Sequence, residues 1–341
     1  MTKTFMRQEI DEIPEAVARL LRNSATPARE IGEAIRKFDS LMIATIARGS
    51  SDHAAYFLKY AYEIALGLPC ASLGPSLASI YGVVPRTGRA AIFAISQSGQ
   101  SPDIIAMTEA TRKGGGLTVA LVNTLPSPLA NACAHALDIS AGPERSVAAT
   151  KSFVCSVIAG LVLLAEICPE LRLSDALQAF PEKLKLALDC EWTDLVDDFE
   201  NSRSVYVLGR GPSLAIAHEV ALKFKETCAM HAEAYSAAEI MHGPIELAGR
   251  GFPVLALAAR DSAEKNVATI ADELARSGTY VHASSPMCQI AQVLPVPDAG
   301  HPLLNALVQI VPCYAFLEAL SRRRGRDPDH PARLRKVTET I

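Results

Sequence analysis

Apolar residues follow two alternating rhythms along this chain, short unbroken runs and longer stretches with helical spacing. An unbroken run at 90–95 predicts a strand buried on both faces, and apolar-rich stretches at 40–48 and 118–122, with a shorter one at 137–139, predict further strands. Helical spacing occupies the stretches between them, at 54–64 and through Ile104, Ile105 and Met107. Residues 9–23 put Ile10, Ile13, Val17, Leu20 and Leu21 on one face, an amphipathic helix whose apolar stripe must dock. The most apolar run, 153–167, carries Ser156 and Glu166 and falls short of the ~20 residues a membrane span needs. It predicts a core helix. Strands alternating with helices predict an α/β fold with parallel sheets, in which ligands sit at the carboxyl ends of the strands.

The pattern then repeats. Shifting the chain by the interval from Arg48 to Arg210 lays residues 42–50 on 204–212, 91–96 on 253–258 and 118–123 on 280–285, without a gap. Arg48-Gly49 falls on Arg210-Gly211. Three strand and turn units agreeing at one offset predict two copies of one α/β unit, joined by the helical stretch 176–199.

Composition narrows the function classes. At 341 residues, 49% hydrophobic and 21% charged, the chain reads as a two-domain globular protein. Its net charge of -4 and pI near 6.1 give no basic field for nucleic acid or an anionic membrane, so the expected partner is a small molecule. Eight scattered Cys with no Cys-x-x-Cys pair read as reduced, mostly buried thiols of a cytoplasmic protein. The N-terminal residues lack the apolar core of a signal peptide.

Chemistry concentrates in two places. The run 90–95 stops at Ser96-Gln97-Ser98-Gly99-Gln100-Ser101, after which helical spacing resumes. A strand, a small polar turn and a helix N-terminus gather hydroxyls and free backbone N–H groups where the helix dipole favours negative charge, which suits a phosphate. A Ser before a helix also serves as a plain cap, and the residues leave both readings open. The second copy has Ala258-Ala259-Arg260-Asp261 at the matching positions, so only the first copy is expected to hold a phosphate. The second copy instead carries Glu219, Lys223 and Glu226 on one face of a helix at about 214–228. His231, Glu233, Tyr235, Glu239 and His242 follow, ending at Gly243-Pro244. A salt-bridged surface face would explain the helical trio alone; acids and bases this dense beside a Gly-Pro turn suit proton transfer. His231 and His242 are not spaced as a helical zinc pair, so no metal and no cofactor is expected.

These residues carry a family resemblance. The segments Arg48-Gly49-Ser50-Ser51, Ser96-Gln97-Ser98-Gly99, Val147-Ala148-Ala149-Thr150-Lys151, 221–226, 231–244 and 331–338 resemble the sugar isomerase (SIS) domain proteins over essentially the whole chain. The nearest likeness is to the isomerase half of glucosamine-6-phosphate synthase. The resemblance implies two tandem SIS domains, each a flavodoxin-like parallel sheet in a three-layer α/β/α arrangement. The expected divisions are an N-terminal helical arm (1–30), a first, phosphate-binding SIS domain (31–175), a helical connector (176–200), a second SIS domain with the catalytic Glu and His (201–325), and a C-terminal tail entering the active site (326–341).

It further implies that Ser51, Ser96, Gln97, Ser98 and Ser101 hold the sugar phosphate and nearby hydroxyls, with the Val147 backbone against the sugar. Glu226 would move a proton between C1 and C2 beside Lys223. His242 would open the ring from the neighbouring subunit of a homodimer, and Lys336 would approach the open-chain carbonyl. Ala149 stands where the family commonly has Ser. No glutaminase segment with a nucleophilic Cys precedes the isomerase region, which favours the resemblance to stand-alone SIS-type glucosamine-6-phosphate deaminases. Other amino-sugar or fructosamine phosphate reactions, an isomerase subunit served by a separate glutaminase, and a non-catalytic sugar-phosphate sensor are the alternatives.

Overall fold

A computed structural model of the chain describes residues 3–336. It contains two five-stranded, all-parallel sheets, as the two expected repeats require. The first is built from β1 (Met42–Ile46), β2 (Cys70–Ser72), β3 (Ala90–Ser96), β4 (Leu117–Val122) and β5 (His135–Asp138), in the order β2-β1-β3-β4-β5. The second comprises β6 (Ser204–Gly209), β7 (His231–Ser236), β8 (Pro253–Ala256), β9 (Tyr280–Ala283) and β10 (Gln292–Val293), in the order β10-β9-β8-β6-β7. Read from the other edge, that is the same strand order. Both sheets change winding direction beside their first strand, and ligands of such sheets bind at the carboxyl side of that switch.

Every predicted strand is present, with ends moved by a few residues. Strand β3 is buried at all seven positions, which explains why its sequence is apolar without alternation. In the first sheet Ala44, Ile46, Ala90, Ile92, Ala94, Ala120 and Val122 pack with Ile104 and Met107 of the helix Pro102–Lys113. In the second, Tyr206, Leu208, Val254, Ala256, Val281 and Ala283 pack with Val267, Ala268 and Ala271 of the helix Glu264–Arg276. The predicted core helix is Lys151–Ile167, buried at fourteen of its seventeen positions. The run with the length and apolarity of a membrane span is a different one, Pro302–Arg323, and 89% of its most apolar window is buried inside the protein.

The N-terminal stripe belongs to two helices, Phe5–Asp11 and Ile13–Phe38, rather than one over 9–23. By compactness, among the described residues, 3–14, 145–150 and 179–335 form one unit, and 15–144, 151–178 and 336 form another. The first sheet lies in the latter and the second sheet in the former. All eight cysteines are free, six of them buried.

Candidate functional site

In the unit built on the first sheet, the polar turn after β3 is held in shape by its own hydroxyls and by one glycine. Ser96 is buried, and its Oγ accepts the Gly99 N–H at 3.1 Å. The Ser98 Oγ accepts the Gln100 N–H at 3.3 Å. Gly99 has φ +64°, and a Cβ there would lie 2.5 Å from Ser127 Oγ, so conformation and space both demand glycine. Ser101 is the N-cap residue of the helix Pro102–Lys113, yet its side chain makes no capping bond. Plain capping therefore does not account for the Ser101 hydroxyl. Ser51 lies in the first turn of the helix Ser50–Leu66, at the carboxyl end of neighbouring β1. Ser51, Ser96, Gln97, Ser98 and Ser101 thus gather at the carboxyl ends of two adjacent strands.

Lys336 closes on the same unit. Its Nζ lies 3.2 Å from Oε2 of Glu144, whose side chain is fully buried. Glu144 also accepts the Ser152 N–H at 3.1 Å and the Ser152 hydroxyl at 2.6 Å. Lys336 is therefore paired with a buried carboxylate rather than free in solvent. Residues 337–341 lie outside the described residues.

In the unit built on the second sheet, the helix Pro212–Cys228 carries Glu219, Lys223 and Glu226. These are not a surface face. Lys223 and Glu219 are buried, and Lys223 Nζ sits 2.5 Å from Glu226 Oε2 and 3.3 Å from Glu219 Oε1. The Tyr314 hydroxyl donates to Glu219 at 3.1 Å. Burial alone would lower the Lys223 pKa, but the two carboxylates outweigh it and hold the ammonium above its ordinary value. Glu226 keeps 20% of its side chain exposed. One carboxylate of the trio is therefore tied down by a buried cation and still open on one edge, the arrangement that general acid–base work needs.

The rest of the acidic and basic cluster is dispersed. His231, Glu233 and Tyr235 alternate along the edge strand β7, with His231 Nδ1 3.1 Å from the Ser204 hydroxyl and the Tyr235 hydroxyl donating to Glu233 at 3.0 Å. His242 ends a single 3₁₀ turn, Glu239–His242, before Gly243 at φ +132°, and is exposed. It makes no hydrogen bond or ion pair with Glu219, Lys223 or Glu226. The Val147 N–H donates to the Asp329 carbonyl at 3.1 Å. Asp329 in turn accepts the Phe5 and Met6 N–H groups, both at 2.7 Å, and Glu9 accepts the N–H of Ser146 at 3.3 Å. Residues 145–147 are thus fastened from two sides, by the buried Glu9 carboxylate and by the main-chain carbonyl of Asp329. Among the described residues no three His, Cys, Asp or Glu side chains are grouped to hold a metal.

The SIS domain family matches residues 38–166 and 198–283, and the chain belongs to it. A solved structure from Silicibacter pomeroyi DSS-3, provisionally described as a phosphosugar isomerase, is 50% identical, with a TM-score of 0.93 over 96% of this chain and 100% of that one. A glutamine–fructose-6-phosphate aminotransferase (isomerizing) of Thermococcus kodakarensis is 30% identical over 97% of this chain and 57% of its own length. The chain thus spans little more than half of that curated relative. The fold is also that of the glucosamine-6-phosphate deaminase of Thermotoga maritima, with a TM-score of 0.80 at 19% identity over 99% of this chain and 100% of that one.

Proposed function

We propose that this SIS-family phosphosugar isomerase converts glucosamine 6-phosphate and water to fructose 6-phosphate and ammonia. The observation that carries the reading is Glu226, a part-exposed carboxylate tied to a buried ammonium that Glu219 also holds. Ser51, Ser96, Gln97, Ser98 and Ser101 bind the phosphate, and the Val147 backbone lies along the sugar. His242 protonates the ring oxygen and opens the pyranose; its exposure on its own chain suits service to a neighbouring copy in a homodimer. Lys336 approaches the open-chain carbonyl.

Once the ring is open, the C2 proton lies α to an aldehyde and is acidic enough for a carboxylate to remove. Glu226 takes that proton from C2 while the C1 oxygen takes up a proton, giving a C1–C2 enolamine; Glu226 then returns its proton to C1 as the nitrogen gives up one N–H proton to solvent. The amine at C2 is now an imine. Water adds to C2, the C–N bond breaks, and ammonia leaves as the C2 ketone forms. No electron acceptor is needed.

Run in reverse, the same residues add ammonia to fructose 6-phosphate, so a synthetic isomerase supplied with ammonia from elsewhere is the second reading. The similarity to the isomerizing aminotransferase favours it. Purified protein given glucosamine 6-phosphate should release ammonia and fructose 6-phosphate in equal amounts. Isomerisation of other sugar phosphates with no ammonia from this one would refute the deaminase reading.

A further inference from the structure

The residues assigned to the phosphate are all neutral, and a phosphate dianion in a loop of hydroxyls and one amide lacks a cation. We propose that Arg48 supplies it, as a further phosphate-binding residue; this rests on the phosphate reading of the Ser96–Ser101 turn. Three observations carry the proposal. In the parallel register Ile46 stands beside Ala94, and continuing both strands by two residues brings Arg48 alongside Ser96. Adjacent strands lie about 4.8 Å apart, so the Arg48 backbone lies beside the start of the turn.

Next, Arg48 is anchored where a phosphate ligand should be anchored. Its Nε and Nη2 both pair with Oδ2 of Asp103, whose side chain is fully buried, in the first turn of the helix that begins after Ser101. A guanidinium has five N–H donors in a rigid fork, and this pair uses one edge of it. With 48% of the side chain exposed, the rest is open to an incoming anion. Bidentate recognition of phosphate by arginine is strongest when the fork is already fixed.

Finally, the second copy separates clamp from ligand. Arg210, at the repeat position of Arg48, also reaches the start of the helix after its third strand, through Nη1 to Asn266 Oδ1 at 2.6 Å. Tying the first strand to that helix is therefore a structural role common to both copies. Only in the first copy does the arginine border a turn of small hydroxyls, and only there is its anchor a buried carboxylate.

The test is titration calorimetry with inorganic phosphate on the wild type and the variants Arg48→Met, Ser98→Ala and Arg210→Met, with thermal unfolding of each. Loss of a charge-assisted contact should weaken phosphate binding by about tenfold to a hundredfold in Arg48→Met. Ser98→Ala should weaken it too, while Arg210→Met lowers thermal stability and leaves phosphate affinity alone. Arg48→Gln, whose amide can still donate to Asp103, covers the case in which Arg48→Met does not fold, and should show the same loss. Normal affinity in the Arg48 variants beside weakened Ser98→Ala overturns the role of Arg48 and spares the phosphate site. Normal affinity in all of them, or no binding to the wild type, removes the phosphate reading and this proposal with it.

Discussion

The two sheets share strand order and parallel register, and the glycine after the first strand adopts nearly one conformation in both: φ 55°, ψ -134° at Gly49 and φ 60°, ψ -137° at Gly211. Their ends nevertheless differ. The first sheet ends in a turn of hydroxyls around Gly99, whereas the second has Ala258, Ala259, Arg260 and Asp261 there. The second copy lacks those donors and carries ionisable groups on the helix Pro212–Cys228 instead. A duplicated scaffold can thus divide labour without changing its topology, since the backbone at strand ends is fixed by the sheet while the side chains beyond it are not.

The largest expected effect tests that division. Glu226→Gln keeps the shape and an acceptor for Lys223, and Lys223 remains paired with Glu219, so the fold should persist. Loss of the base should lower kcat by about 10²–10⁴-fold with KM little changed. Turnover and exchange of the C2 proton with solvent should fall together. If ammonia release stops while exchange continues, another carboxylate is the base, with Glu233 and Glu239 next to test. Near-normal turnover would reduce Glu226 to a partner of Lys223.

Much of this scaffold was legible in the sequence, and each omission has its own physical cause. The interior strands announced themselves because burial on both faces leaves only apolar residues, as in β3. Two edge strands did not: β2 and β10 are three and two residues long, too short to carry a period. Strand β7 was hidden for another reason. His231, Glu233 and Tyr235 alternate with Ala232 and Ala234, a period of two that was present but read as a catalytic cluster. Spacing found the Glu219, Lys223 and Glu226 trio but could not tell buried from solvated, because helical neighbours look alike in either setting. Glu144 was missed altogether, since its meeting with Lys336 joins residues 192 positions apart.

A middle-sized effect probes the shared backbone. A Cβ at Gly49 or Gly211 would meet nothing within 4 Å, so replacement by Ala carries conformational strain and no clash. Each of Gly49→Ala and Gly211→Ala should cost about 1–3 kcal/mol of stability, and the two costs should be similar. Thermal or urea unfolding measures this directly. KM should rise in Gly49→Ala alone, because only that glycine precedes Ser51. A cost at one glycine and none at the other would mean the repeat is not equivalent at its turns.

The smallest effect concerns an asymmetry between the copies. Asp272 occupies the repeat position of Ala110, and its carboxylate accepts the N–H groups of Gln289, Ile290 and Ala291, all at 2.9 Å, just before β10. Burial by itself would raise its pKa; the three backbone donors, with Arg276, outweigh that and hold it below the usual 3.8. A carboxyl with a depressed folded pKa contributes stability that is present above its unfolded value and is lost as pH falls through the folded one. Asp272→Asn keeps one acceptor but no charge, so it should cost about 1 kcal/mol, the difference between charged and neutral hydrogen bonds. Urea midpoints of wild type and variant should therefore differ at pH 7 and draw together as the pH falls through 3.8 and then through the lower folded pKa. A gap that stays constant over that range would show that the carboxylate is not what holds the 289–291 turn, and that the edge of the second sheet is fastened by packing alone.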